Sequence, residues 1–428
     1  MMNRLQIRFF VFLLIWTSLV EHETASAQSP FSIGGYYKNF TMVLDPPQIQ
    51  GAPETLWNPV ERGLVNNRLR LHLSTRMSDR VFFQAAYDVS PRIQDPDLFR
   101  DELMVLQFNP PDYRLDDLPF RLYPERPEDV RSFAIFQNLD RAFFTWSTEF
   151  ADVYVGRQAI AWGSARVVNT KDIIAPFSFD ELDTEDRRGV DAIRVRVPVG
   201  FMGEVDVGYV AGDQVQLDSS AVFVRGKYYV AQTDVSALGI LFRNHALVGF
   251  NVARALGGAG VWLEAAAVFD NVRNSFQIED NYAYTRLTVG TDYNFSNSFY
   301  GFVEYHFSGA GASRPQEYLE VFRRPSVADG SVYLFGSHYL IPGGRYQISP
   351  LLSLNTQLLW NLNDDSFFLT PQLEYNIAEN IYLSGGMFLS VGPSPKLPES
   401  ISFTPQIQLE SEFGTFYDLF FTSFRVYF

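Results

Sequence analysis

The chain has 428 residues, with 49 acidic and 34 basic side chains and a formal net charge of −15 at neutral pH. This acidic balance argues against nucleic acid as a partner. Because the sequence contains no cysteine, it also excludes disulfides, thiolate nucleophiles, cysteine-ligated iron–sulfur clusters and covalently attached haem.

The first 27 residues have the pattern of an export signal. Two arginines precede a largely apolar run of 12 residues (9–20), and the segment ends in Ala25-Ser26-Ala27 before Gln28. A membrane-spanning helix needs about 20 residues, so this run is short for one. We predict cleavage between Ala27 and Gln28 and a single domain over residues 28–428, with a retained N-terminal anchor as the alternative.

Beyond the signal, apolar residues recur with a period of two, which is typical of half-buried strands. In RLRLHLS, for example, three leucines alternate with Arg68, Arg70 and His72. Many such runs are 9 to 14 residues long. Strands of globular proteins usually have about 5–6 residues, whereas a tilted strand needs about 9–11 to cross a bilayer. The pattern therefore favours a membrane barrel over a soluble sandwich.

Short and long connections alternate along the chain. The predicted short turns are Met77–Arg80, Thr148–Ala151, Pro198–Gly203, Gln232, Leu256–Gly260, Phe295–Ser298, Pro342–Tyr346 and Ile377–Asn380. The predicted long connections are 45–63, 90–136, 162–187, 308–330 and 392–413. The 90–136 connection is rich in proline and acidic residues, so we expect it to cap the barrel outside or to fold into the pore.

Eight short turns pair sixteen strands, and one unpaired strand at each end gives eighteen. The fold class predicted is all-β: a transmembrane, antiparallel, up-and-down β-barrel of about 18 strands, with 16 as the lower bound. Short turns would face the periplasm and long loops the exterior.

Polar side chains of the alternating runs are predicted to line the lumen. The candidate pore-lining residues are Arg68, Arg70, His72, Asp88, Arg157, Arg194, Arg196, Glu204, Asp206, Arg225, Lys227, Glu264, Arg286 and Glu304. Across the short turns we predict three ion pairs, which are Arg196–Glu204, Arg194–Asp206 and Arg70–Asp88.

Two interpretations of these charges remain open. They form a salt-bridged wall, or they form a selectivity strip for anions. The second interpretation depends on cationic side chains for which the sequence suggests no partner, which are Arg68, Arg225, Lys227 and Arg286.

A second acidic stretch, FDELDTEDRR, carries five carboxylates between residues 179 and 188. We expect a solvated loop here. The alternative is a cluster that binds divalent cations and so bridges to lipopolysaccharide.

One stretch goes beyond periodicity. Gly156-Arg157-Gln158, then Trp162-Gly163, then Arg188 with Asp191-Ala192-x-Arg194 resembles bacterial porin-like outer-membrane families, among them the alginate-export family. The resemblance implies a monomeric or trimeric barrel that conducts small solutes or exports a polyanionic polysaccharide. Because the predicted wall is mixed in sign, we favour small hydrophilic solutes, including anions.

Catalytic signatures are weak. The five histidines form no HExxH or other paired-ligand spacing, and the sequence has no G-x-S-x-G, Walker or dinucleotide motif. We predict no enzyme, no catalytic or metal site and no cofactor. An outer-membrane lipase that recruits His245 and a serine is one alternative, and a structural or adhesive barrel whose loops bind a surface partner is another.

The chain ends on FFTSFRVYF, in which Phe420, Thr422, Phe424, Val426 and Phe428 occupy alternate positions. This set is predicted to face lipid, with Phe428 in the aromatic girdle. A terminal Phe with Val426 and Phe424 before it also resembles the signal that barrel-assembly machinery reads. The predicted location is therefore the bacterial outer membrane, with lipid, lipopolysaccharide, that machinery and a small solute as partners.

Overall fold

The computed structural model describes residues 31–53, 57, 59–99, 112–115, 117–272, 283–296, 298–324, 327, 329–330, 332–397 and 407–428. The export signal and its cleavage site lie outside these ranges. The helical elements with described bounds are the short helix Tyr318–Arg323 and the 3-10 turns Pro96–Phe99, Pro127–Asp129, Asp213–Val215, Pro315–Glu317 and Phe413–Thr415. None of the described helices is long and apolar enough to cross a membrane.

Strands make up most of the described chain. They are β1 (Phe31–Asp45), β2 (Arg62–Ser78), β3 (Val81–Gln94), β4 (Arg121–Tyr123), β5 (Phe133–Ser147), β6 (Asp152–Gln158), β7 (Val190–Val199), β8 (Gly203–Val210), β9 (Ala221–Val230), β10 (Thr233–Phe242), β11 (His245–Leu256), β12 (Ala259–Phe269), β13 (Ala283–Ser296), β14 (Phe299–Ser308), β15 (His338–Ser349), β16 (Leu352–Asn361), β17 (Phe367–Leu369), β18 (Gln372–Ala378), β19 (Ile381–Val391) and β20 (Asp418–Tyr427).

These strands close into one antiparallel barrel. β1 pairs with β2 along one edge and with β20 along the other, from Tyr36–Tyr427 to Asp45–Asp418. β4 lies outside this cycle, and β17 and β18 together fill one position between β16 and β19. Eighteen strand positions remain, which confirms the predicted fold class. Closure by β20 pairs both edges of β1, whereas the terminal strands of an open sheet would each keep one unpaired edge.

One rim of the barrel carries the short turns, and we call it the turn rim; the opposite rim, with most of the long connections, is the loop rim. Seven of the eight predicted turns lie at the turn rim. The turn between β11 and β12 needs left-handed backbone at two glycines, Gly257 (φ 57°) and Gly258 (φ 94°).

The predicted turn Pro342–Tyr346 is wrong. These residues lie inside β15, and the turn follows that strand at 350–351. Pro342-Gly343-Gly344 has the composition of a turn, but proline only removes a ladder hydrogen bond here. The pairing of β15 with β16 accordingly skips from Leu340–Trp360 to Gly343–Gln357, while pairing with β14 continues.

The period of two sorts side chains between the two faces of the wall. On β9, Val222 and Val224 are exposed on the outer face while Phe223 is buried inside. On β20, Phe420 and Phe424 are exposed and Phe421 is buried. The outer face is therefore largely apolar, and most of the buried charged side chains point inward.

The barrel interior is filled in part by chain from one long connection. Ile160, Trp162, Ile173 and Ile174, all between β6 and β7, belong to a buried apolar cluster. They share it with inward side chains of β9 to β12, such as Phe223 and Leu247. The apolar core thus sits inside the barrel, between this connection and the wall.

Candidate functional site

The connection from β6 to β7, residues 159–189, enters the barrel, and we call it the inner loop. β6 has only seven residues, so the chain leaves the wall early. Gly156 has φ 119° and Gly163 φ 147°, a region that side chains disfavour. An added Cβ would lie 2.3 Å from the Ala142 carbonyl oxygen at Gly156 and 1.4 Å from Asn169 Nδ2 at Gly163. The glycines of the Gly-Arg-Gln and Trp-Gly motifs therefore accompany the inward path of the chain.

A carboxylate on β12 holds the first half of the inner loop. Glu264 accepts hydrogen bonds from the backbone amides of Ser164, Ala165 (3.1 Å) and Thr170 (3.3 Å). It also accepts from the hydroxyls of Ser164 (3.0 Å) and Thr170 (3.4 Å). Its side chain is fully buried, so Glu264 anchors the inner loop and is not exposed to the open lumen.

Glu304 on β14 also anchors the inner loop, at the residues that follow those held by Glu264. It accepts from the backbone amides of Arg166 and Val167 (3.0 Å) and from Trp262 Nε1 (2.9 Å). Glu304 is also fully buried. Hydrogen bonds of N–H groups to an ionised acceptor are stronger than neutral ones, so two carboxylates satisfy loop amides that no strand pairs.

Burial shifts the pKa values of three charged groups in the inner loop. Burial lowers the pKa of Lys171 to about 8, against the opposing effect of Glu264. The Lys171 ammonium donates to Asn251 on β11. Burial raises the pKa of Asp172 to about 6, although Arg187 pairs with it, and raises that of Glu181 to about 7.

The acidic second half of the inner loop binds the opposite wall. Asp183 lies 2.7 Å from Lys38 Nζ on β1 and 3.0 Å from Arg68 on β2. Burial alone would raise the pKa of Asp183, but these two cations outweigh it and the pKa lies below its ordinary value. Glu185 lies 2.6 Å from Lys38 Nζ.

The neighbouring contacts involve tyrosines. Tyr36 on β1 donates to Asp186 at 2.7 Å, and Tyr427 on β20 donates to Glu185 at 2.7 Å. Asp186 also lies 3.6 Å from Arg70. The expectation of a solvated loop at 179–188 is therefore wrong, because three of its carboxylates contact the inner wall.

The three predicted ion pairs form. Arg194 contacts Asp206 through two nitrogens, one at 2.8 Å, and Arg196 contacts Glu204. Arg70 lies 3.0 Å from Asp88 and 2.6 Å from Asp140. His72 accepts a hydrogen bond from Arg70 Nε at 3.1 Å. The inner wall of β2, β7 and β8 is thus lined by paired charges.

Three of the four cations expected to lack partners have carboxylates nearby. Arg68 contacts Asp88 and Asp183, both at 3.0 Å. The distances are 3.6 Å for Arg225–Glu204 and 3.5 Å for Lys227–Asp234. Buried Arg286 donates to the carbonyls of Asn169 (3.2 Å) and Gly330 (3.5 Å). The sequence did not indicate these partners because they lie in loops or at ladder positions that are not directly opposite the cation.

The side chain of Arg157 lies on the outer face of the barrel wall and does not face the lumen. In the ladder it aligns with Ala142 and Asp191, on the side that carries the exposed Val155 and Ile193. Its guanidinium contacts Asp191 (2.8 Å), Asp117 (2.7 Å) and the Leu139 carbonyl (2.9 Å). The placement of Arg157 on the pore wall is therefore incorrect.

Asp117 belongs to the long connection after β3, and its contact with Arg157 holds part of that connection against the barrel wall. β3 continues to Gln94 and β5 begins at Phe133, so this connection spans 95–132. Because β6 ends at Gln158, the loop-rim half of β5 lacks it as a neighbour, and β4 pairs there instead. Arg157 thus links the segment that covers this gap to β7.

Two cavities lie inside the barrel. The first, of about 730 Å³, is bounded by the inner loop and by strands β13 to β19. The second, of about 530 Å³, is bounded by β1 to β7 and includes Arg70, His72, Arg141 and Arg194. Thr184 and Arg187 line the first cavity and Asp186 the second, so the acidic part of the inner loop stands between them.

Sequence reasoning missed Arg345, an exposed side chain of the first cavity. It aligns with Tyr300 and Asn355 in the ladders and approaches the Ser353 hydroxyl at 3.4 Å. Within the described residues no carboxylate forms an ion pair with it. The mistaken turn at Pro342–Tyr346 concealed this residue; continued alternation through Gly343 would have placed it inward.

His245, the candidate for a lipase-type site, contacts carboxylates. Its Nδ1 lies 2.5 Å from Asp270 and its Nε2 3.0 Å from Asp329. Both ring nitrogens are therefore engaged, and neither of these contacts is with a serine. Over the described ranges the arrangement at His245 is that of a loop contact at the loop rim.

Comparisons with known proteins identify the fold. OccAB4 of Acinetobacter baumannii superposes with a TM-score of 0.54 at 8% identity, covering 94% of this chain and 99% of that one. A BenF-like porin from Pseudomonas fluorescens Pf-5 gives 0.55 at 9% identity, with 93% and 98% covered. OpdK of Pseudomonas aeruginosa, solved with vanillate, gives 0.51 at 6% identity, also with 93% and 98% covered.

These similarities show an outer-membrane porin fold over nearly the whole chain. No family model matches the sequence, and no curated protein matches it. The narrower resemblance to the alginate-export family therefore stays a prediction.

Proposed function

We propose that this protein is a bacterial outer-membrane channel for the passive transport of small hydrophilic solutes, with a preference for anions. One observation carries the proposal: a closed barrel of eighteen strands whose lumen is narrowed, but not filled, by the inner loop. Barrels of this size leave an aqueous interior. The apolar outer face fits contact with lipid, and the loop rim would face the exterior.

The preference for anions follows from which charges remain accessible. Within the described residues, the lumenal carboxylates Glu264 and Glu304 are fully buried by the inner loop. Arg345 is exposed in the first cavity, and among the described residues no carboxylate pairs with it. The exposed cations Lys227 and Arg196 are in contrast paired with Asp234 and Glu204, whose side chains are 47% and 24% exposed. Exposed cations on a narrow wall attract anions and repel cations.

The nature of the solute is supported by the lining of the first cavity. Tyr300, Phe302 and Phe388 lie there with Arg345 and Gln357. Three further arginines line this cavity, but Arg166 and Arg187 are paired with carboxylates and Arg286 is buried. Aromatic faces beside the exposed Arg345 suit a small carboxylate with an apolar body. Vanillate, present in the structure of OpdK, has this chemistry. A polysaccharide would need a wider continuous path than two cavities separated by the inner loop.

Planar-bilayer recording tests the proposal. The purified protein should give discrete current steps, and the reversal potential under a salt gradient should have the sign of anion preference. Arg345→Ala should shift the reversal potential in the direction of cation preference. The shift should be larger at about 0.1 M than at about 1 M salt, because salt screens the charge of the arginine. Arg80→Ala, at the turn rim and 65% exposed, is the matched control.

Three outcomes would count against the proposal. Cation preference in the wild type would refute the preference for anions. An equal shift in Arg345→Ala and Arg80→Ala would refute the role of the first cavity. If no current steps appeared, the function as a channel would be refuted and the structural or adhesive barrel would be favoured.

A further inference from the structure

The segment Asp183–Asp186 stands between the two cavities and is held there by opposite charge. Its carboxylates contact the ammonium of Lys38 at 2.6 and 2.7 Å and the guanidinium of Arg68 at 3.0 Å. Tyr36 and Tyr427 donate hydrogen bonds to the segment, and Arg70 Nε lies 3.6 Å from Asp186. Thr184 and the adjacent Arg187 line the first cavity and Asp186 lines the second, so the segment borders both.

The basic side of the contact is fixed, whereas the acidic side is a loop. Lys38 and Arg68 align on neighbouring strands, β1 and β2. Arg68 is also held by Asp88 at 3.0 Å. Residues on paired strands keep their position, whereas a loop of carboxylates moves by changing a few backbone dihedrals.

Lys38 cannot be left without an anion. Its side chain is 1% exposed, and its ion pairs in the described structure are with Asp183 and Glu185. The ring of Tyr36, 4.2 Å from Nζ, adds a weaker attraction. A buried ammonium without a counter-charge is strongly disfavoured. The segment therefore leaves this site readily only when another anion takes its place.

We propose that Asp183 and Glu185 act as an internal counter-anion on a binding site formed by Lys38 and Arg68, and that multivalent oxyanions displace them. The site is a pair of neighbouring cations, so the ligand carries at least two anionic oxygens, as in a phosphate or a dicarboxylate. Displacement removes the segment from between the cavities and opens the path. This inference rests on the proposed channel function and adds a gate to it.

The main test compares channel recordings in inorganic phosphate and in chloride at equal ionic strength. The wild type should show a higher occupancy of the open state in phosphate, by roughly fivefold or more, the scale of a typical coupling between two sites. Asp183→Asn with Glu185→Gln keeps the shape of both side chains and removes both charges. This variant should be open already in chloride and should not respond to phosphate.

The matched control removes the same charge elsewhere. Asp213→Asn with Asp218→Asn neutralises two exposed carboxylates of the connection between β8 and β9, away from the segment. This control should keep the wild-type response to phosphate. If it loses the response as well, the effect is one of net charge and the proposal is wrong.

Hydrogen exchange of the wild type provides a measurement that does not depend on whether the variant folds. Phosphate, and not chloride at equal ionic strength, should lower the protection of amides 183–187. Unchanged protection, or a double variant with wild-type occupancy and a wild-type phosphate response, would overturn the gate. Current steps without phosphate sensitivity would leave the channel proposal intact, whereas no current in either protein would refute the channel itself.

Discussion

Replacing Glu264 by alanine should release the first half of the inner loop. The carboxylate accepts from the backbone amides of Ser164, Ala165 and Thr170 and from two hydroxyls. Hydrogen bonds to a charged group contribute about 1.5–3 kcal/mol each, and these contributions are not additive. Water that enters the space left by the side chain can replace part of these hydrogen bonds. We therefore expect the anchored state of the inner loop to lose about 3–5 kcal/mol of stability, as for a broken buried ion pair.

A loss of about 3 kcal/mol moves a two-state equilibrium more than a hundredfold, since 1.4 kcal/mol corresponds to a factor of ten. The amides of residues 163–171 should therefore exchange faster by about that factor, and single-channel conductance should rise with more rapid fluctuation. Glu264→Gln retains one accepting oxygen and should have a smaller effect in the same direction. The barrel itself should still migrate as a folded species on unboiled gels.

Glu374→Gln is the control for this experiment. Glu374 is an inward carboxylate of β18 that pairs with Arg425, and within the described part of the chain it makes no hydrogen bond or ion pair with the inner loop. It should leave exchange at 163–171 unchanged. If Glu264→Ala also kept the wild-type exchange rates and conductance, the reasoning that Glu264 anchors the inner loop would be refuted.

Three further predictions concern other parts of the molecule. Burial raises the pKa of Glu412 from its ordinary value to about 7. The folded state therefore binds a proton that the unfolded state lacks between about pH 4.5 and pH 7, and it loses stability as the pH rises through that window. The protection of amides 335–336, which bond to Glu412, should fall over this window relative to the intrinsic exchange rate at each pH, and Glu412→Gln should abolish the fall. Arg157→Ala leaves Asp117 and Asp191 without their shared cation and should destabilise the folded barrel in urea by about 3–5 kcal/mol; stability equal to the wild type would contradict the assigned role. Deleting Phe428, which exchanges two backbone hydrogen bonds with Gly35, should lower the yield of heat-modifiable barrel in outer membranes more than Phe428→Ala, and normal insertion of the truncated chain would argue against an assembly signal.

Strand number and the two faces of the wall were accessible from the sequence because they are local properties. Alternation in RLRLHLS or FFTSFRVYF depends only on the pleat of each strand. The ion pairs Arg196–Glu204 and Arg194–Asp206 were also predictable, because a short turn brings charges of the same face on neighbouring strands within reach of each other. In the ladder Arg196 aligns with Asp206 and Pro198 with Glu204, so both pairs form between diagonal neighbours. One local signal misled: Pro342-Gly343-Gly344 has the composition of a turn but lies within β15, and this concealed Arg345.

The position of the inner loop was decided by tertiary structure alone. Its amides bond to Glu264 and Glu304, which are 100 and 138 residues away in the chain from Ser164 and Arg166. The acidic stretch 179–188 has the composition of a solvated loop, and only closure of β1 on β20 brings Lys38, Arg68 and Tyr427 within reach of it. Periodicity determines which face a side chain takes, whereas the partner it meets across a closed barrel depends on contacts that no local pattern contains.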